Sequence, residues 1–128
     1  MIVYPTENYD SFVSEEDAED YFLNRLNSDD WNSSIAENAL MTAFQTLKTI
    51  DMVIDLSDTA QLKAMKQAQM EQAYHEITKL NTNPLESVNL GGLLSVKMDT
   101  KKQAGIYSER ALAILKPYMR TQTINRLR

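Results

Sequence analysis

The chain has 128 residues, enough for one domain of ordinary size and too few for two independent cores. Hydrophobic residues make up 43% and charged residues 24%, and with only 3 Gly and 3 Pro the collagen-like and low-complexity classes are excluded. There is no Cys, which rules out disulfide scaffolds, thiolate metal sites and cysteine nucleophiles, and the net charge is −5.

The first thirteen residues read as extended, with Pro5 and the scattered aromatics Tyr4, Tyr9 and Phe12. They lack the basic start and apolar run of a signal peptide, and no apolar stretch is long enough to span a bilayer, so a soluble protein is expected. Ser14 is a helix N-cap, and Glu15, Glu16 and Asp17 fall where the helix dipole favours negative charge. Behind it Ala18, Tyr21, Phe22, Arg25 and Leu26 keep a helical rhythm, which predicts a first helix ending near Asn27 or Ser28.

After a connector at Asp29–Asn32, Ser34 and Glu37 have the spacing of a capping box. Leu40, Ala43, Phe44, Leu47, Ile50 and Ile54 then form the apolar stripe of a second helix, predicted from about Ile35 to Met52 or Val53. Ser57 and Asp58, with Gln61 placed for another box, open a third helix over Thr59–Leu80. Its stripe is Leu62, Met65, Ala68, Ala73, Ile77 and Leu80, with Met70 and Tyr74 beside it. At about 1.5 Å per residue it would span about 33 Å, so one end is expected to project or to pack on a neighbour.

Pro84, Gly91 and Gly92 break the pattern, and Leu93–Met98 is strand-like, either in a hairpin with Ser87–Leu90 or paired with another chain. Ser108 caps a fourth helix carrying Ala111, Leu112, Ile114 and Leu115, which Pro117 stops or kinks. The expected architecture is therefore mainly α: a bundle of about four helices with a short strand or hairpin near 87–98. Residues 1–117 form the domain and 118–128 an extended basic tail.

Catalytic chemistry finds little support. His75 is the only histidine, so imidazole zinc sites and Ser–His relays lack their parts, and it reads as a surface or part-buried polar residue. The acidic run 15–20 opens a helix rather than a calcium loop, and Gly91–Gly92 has neither the Walker nor the dinucleotide spacing. No enzyme activity, cofactor or metal is expected.

Charge is unevenly placed. Residues 1–30 hold nine acids against Arg25 alone, a net of −8, while residues 97–128 hold eight bases against Asp99 and Glu109, a net of +6. Such ends attract across a subunit boundary or simply remain solvated.

Five stretches in order resemble the head–tail connector (adaptor, or head-completion) proteins of tailed bacteriophages. They are SFVSEEDAEDYF at Ser11–Phe22, followed by Arg25, Leu26 and Trp31; ENALMTAF at Glu37–Phe44; KQAQMEQAY at Lys66–Tyr74; GLLSVK at Gly92–Lys97; and LKPY at Leu115–Tyr118. The connector between the second and third helices lacks the Trp or Pro-rich stretch of many relatives.

The resemblance implies a ring, commonly of twelve copies, between the capsid portal and a tail-side stopper or tail-completion protein. DNA would pass through its channel, placing the protein in the virion neck and, during assembly, in the host cytoplasm. Portal contacts would then fall on Lys116, Tyr118, Arg120, Arg126, Leu127 and Arg128. Contacts between subunits would fall on Glu15, Glu16, Asp17, Leu93, Leu94, Val96, Lys101 and Lys102. Two alternatives stay open: a single-stranded-DNA-binding module using Lys101, Lys102, Tyr118 and Arg120, and a helical interaction subunit of another assembly.

Overall fold

In the computed structural model, residues 1–81 and 105–120 are described. Four α-helices build this part: α1 (Glu15–Leu23), α2 (Ala36–Leu47), α3 (Thr59–Asn81) and α4 (Glu109–Leu115). Single 3-10 turns at Ser33–Ile35 and Lys116–Tyr118 precede α2 and follow α4.

α1 starts as its sequence predicts. The Ser14 hydroxyl accepts from the Asp17 amide at 3.0 Å, and the Asp17 carboxylate accepts in return from the Ser14 amide, closing a capping box. The helix stops at Leu23, short of the expected Asn27, because the Asn24 side chain turns back to donate to the Asp20 carbonyl. Asn27 then takes a left-handed φ of 60°, a conformation that asparagine tolerates better than most residues. Leu26 is left 85% exposed rather than on an apolar stripe.

The Ser34–Glu37 box does not form. Asn32 caps instead, accepting from the Ser34 amide at 3.0 Å, while Glu37 pairs with the Met1 amino group at 2.8 Å. α2 ends at Leu47 rather than at Met52 or Val53, because the Thr49 hydroxyl donates to the Thr46 carbonyl and draws the chain into a turn. Ile50 and Ile54 still pack on the core from outside the helix. α3 has nearly its predicted bounds. Asp58 caps it through the Gln61 amide, but the Gln61 side chain accepts from the Asp55 amide instead of returning to the cap.

No β-strand occurs among the described residues, which overturns the mixed helix-and-strand architecture: what folds there is a helical bundle. Its only extended pairings are single bridges, Val3 to Ser11 and Met52 to Met119. The strand or hairpin expected near 87–98 lies outside the described residues.

Two apolar clusters meet along α3. One joins Val13, Ala18 and Phe22 to Leu40 and Ala43 of α2 and to Met70, Ala73 and Ile77 of α3. The other joins Phe12, Phe44 and Leu47 to Met65, Ala68, Ala111 and Leu115. Leu40, Leu47, Ile77 and Leu115 are sealed from water, each contributing about 1.5–3 kcal/mol of burial. The N-terminal segment is held by an aromatic set in which Tyr9 and Phe12 sit 5.8 and 5.2 Å from the Phe44 ring centre. The Tyr4–Pro5 bond is cis.

Candidate functional site

Polar side chains inside the bundle concentrate on three of four consecutive positions of α3 that the apolar stripe did not single out: Gln69, Glu71 and Gln72, all nearly fully buried. Gln69 accepts from the Phe12 amide at 2.7 Å and donates to the Ser11 hydroxyl and the Leu40 carbonyl, both at 2.8 Å. It thereby joins the N-terminal segment to α2 and α3. Gln72 does the same for the segment entering α4, accepting from the Ser108 amide at 2.7 Å and donating to the Ile106 carbonyl at 3.0 Å.

Glu71 is the centre of the strongest electrostatic group. The Arg25 guanidinium grips its carboxylate with two nitrogens, at 2.8 and 3.0 Å, and the Tyr21 hydroxyl donates to it at 2.5 Å. The fork also lies 4.6 Å from the Tyr74 ring centre, a cation–π distance. Burial works to lower the pKa of Arg25, and the Glu71 carboxylate outweighs it, so the guanidinium is held charged more firmly than usual. Burial first and the neighbouring carboxylate second push the Tyr21 phenol up to about 12. Phe22 stacks on Trp31 and on Tyr74 beside this pair, at centre distances of 4.3 and 5.3 Å.

The network is closed in on itself. No buried side-chain nitrogen or oxygen among the described residues lacks a hydrogen-bond partner, so none is left aimed at a ligand. An open groove of about 610 Å³ beside it is lined by Arg25, Glu71, His75 and Arg110, and there the His75 ring bonds the Gly105 carbonyl. Among the described residues no cluster of His, Asp or Glu has the arrangement of a metal site, and no helix is long and apolar enough to cross a membrane.

The residues expected at interfaces fall into two separate places. Glu15, Glu16 and Asp17 are exposed on the first turn of α1, beside the first cluster, with Asp17 occupied in the cap. Lys116 and Arg120 are exposed at the far end of α4, and Tyr118 packs on the second cluster. There the chain is strapped down: the Val53 amide donates to the Tyr118 carbonyl at 2.8 Å, the Arg120 amide to the Asp51 carbonyl at 3.1 Å, and the Arg120 guanidinium reaches Asp51 Oδ1 at 3.0 Å. Leu93, Leu94, Val96, Lys101, Lys102, Arg126, Leu127 and Arg128 lie outside the described residues.

Sequence reading missed the buried glutamines and the Arg25–Glu71 pair. The glutamines' signal was present only as spacing, because Met65, Gln69, Gln72 and Glu76 recur at 4, 3 and 4 residues on a helix already read as amphipathic, and the Arg25–Glu71 pair left no local signal. Comparison with protein-family models, with curated proteins and with solved structures returns no match.

Proposed function

We propose that the chain is a non-enzymatic assembly protein, a ring-forming connector between the portal and the tail-side proteins of a tailed bacteriophage, with DNA passing through its centre. The observation that carries this reading is the ordered set of five motifs together with the division of charge along the chain. The acidic first helix packs on one apolar cluster and the segment at 116–120, with Lys116 and Arg120, on the other, which supports contact faces of unlike charge. Unlike faces favour head-to-tail contact, the kind that closes rings when the rotation permits. The buried polar groups of the bundle are mutually satisfied and hold segments in place, which suits a scaffold.

On this reading the protein belongs to the virion neck and to the host cytoplasm during assembly. The test is negative-stain imaging of the protein mixed with the portal protein encoded beside it. Rings stacked end-on to the portal are expected, and a monomer that ignores the portal refutes the reading.

A further inference from the structure

Residues 14–33 are bonded chiefly to one another. The Glu19 carboxylate accepts from the Trp31 indole at 2.9 Å and from the Ser33 hydroxyl at 2.6 Å, and the Ser28 hydroxyl donates to the Phe22 carbonyl at 2.7 Å. The Phe22 ring stacks on Trp31, and the Trp31 amide donates to the Ser28 carbonyl at 3.1 Å. α1 is thereby tied to the turn that follows it. Ties to the rest of the protein are fewer, and only Ala18 and Phe22 of this segment are buried. Among the described residues, every hydrogen bond and ion pair that leaves the segment for a distant residue ends on Glu71 or Tyr74, one turn apart on α3. Tyr21 and Arg25 hold Glu71, while the Tyr74 hydroxyl donates to the Asn27 carbonyl at 2.8 Å and accepts from the Asp30 amide at 3.3 Å.

We propose that residues 14–33 are a latched arm, which swings off α3 as one body when its bonds to Glu71 and Tyr74 open. A segment with its own cross-links, little buried apolar surface and one local set of outside bonds opens as a unit, at less cost than global unfolding. Extended backbone at Ser14 and Asn32, ahead of α1 and ahead of the turn into α2, supplies the two hinges. On opening, Arg25 keeps its bonds to the Leu26 and Asn27 carbonyls, so its guanidinium retains partners inside the arm. The rest of the bundle keeps its own ties, because Gln69 and Gln72 bond the N-terminal segment, α2 and the entry to α4 but nothing in the arm. What opening uncovers is the face of α3 at Met70, Ala73 and Ile77, on which Ala18 and Phe22 pack when the arm is closed. The arm is thus a lid on the first apolar cluster, and this assignment holds or fails without the connector reading.

The test is native-state hydrogen exchange of the full chain, followed residue by residue by NMR in urea below the unfolding transition. The amides of Glu19–Arg25, Asp30 and Trp31 are expected to share one opening, with a smaller urea dependence than the amides of Leu40–Leu47 in α2. Two variants separate the arm from the bundle. Phe44→Leu trims the second cluster, which contains no residue of the arm, and is expected to speed exchange in α2 roughly tenfold while the arm amides stay within about twofold. Tyr74→Phe removes both hydroxyl bonds of the latch and is expected to speed the α1 amides roughly threefold or more. The parent protein alone can overturn the proposal, if the arm amides share the urea dependence of α2 or if α1 exchanges apart from Asp30 and Trp31. Equal acceleration of arm and α2 in Phe44→Leu overturns it too, as does unchanged α1 exchange in Tyr74→Phe.

Discussion

Replacing Gln69 with leucine tests whether the buried amide, rather than the apolar clusters alone, holds the N-terminal segment in place. Leucine is close in size and apolar, so Gln69→Leu leaves little cavity and isolates the polar loss. Three hydrogen bonds disappear, but their consequences differ. The Ser11 hydroxyl keeps its bond to the Val13 carbonyl at 2.6 Å. The Phe12 amide, in a residue 7% exposed, loses its partner at 2.7 Å and has no water to replace it. An orphaned buried donor costs about 1–3 kcal/mol, and each further lost bond about 0.5–1.5 kcal/mol, partly offset by the added apolar burial. The expected net loss is about 3 kcal/mol, read as a shift of the urea midpoint at unchanged slope and a fall in Tm of roughly 10 °C. Hydrogen exchange should place the loosening in residues 1–13 first. Gln69→Glu keeps an acceptor for Phe12 but removes both donors and buries a carboxyl, so it should be the worse variant at neutral pH. A Gln69→Leu protein within about 0.5 kcal/mol of the parent would refute the assignment of this role to the amide.

Arg25→Met strands the Glu71 carboxylate at 3% side-chain exposure, and should lower stability in a urea melt by about 3–5 kcal/mol. The double variant Arg25→Met, Glu71→Leu removes both charges and should recover most of that loss; a double variant no more stable than the single one would contradict the pairing. Tyr21 makes a separate pH prediction. Its folded pKa of about 12 lies above the ordinary value of 10.0, so the neutral phenol is favoured by folding. The associated stability is fully present below about pH 10 and is lost as pH rises through 12. After allowance for solvent at a half-exposed phenol, this difference is worth about 1 kcal/mol. Tyr21→Phe should flatten that alkaline loss in melts followed between pH 9 and 12, and an unchanged slope would count against the Tyr21–Glu71 bond.

What was legible in the sequence was whatever depends on neighbours a few residues away. Ser14 and Ser108 cap α1 and α4 as their positions predict, and α3 begins at Thr59 where Asp58 suggested. The errors came where a distant partner outbid the local pattern. Arg25 sits at the right spacing to continue α1, but its guanidinium is held by Glu71, 46 residues on, and the chain turns at Asn24. Glu37 has capping-box spacing from Ser34, yet pairs with the Met1 amino group. The candidate interface residues were legible as charge and composition only.

The two glutamines also make α3 readable in only one alignment. Its packed face is otherwise largely alanine and methionine, small or pliable side chains that a neighbouring helix could meet almost as well one turn up or down. Sliding α3 by one turn, about 5.4 Å, would bring Met65 or Ala73 to the place of Gln69, and Ala68 or Glu76 to that of Gln72. Neither alanine nor methionine can bond the Phe12 amide, and Ala68 would leave the Ser108 amide bare, while Glu76 would bring a charge against the Ile106 carbonyl. The glutamines thus act as a combination lock on the bundle: the apolar side chains supply adhesion, and the amides make every neighbouring setting wrong.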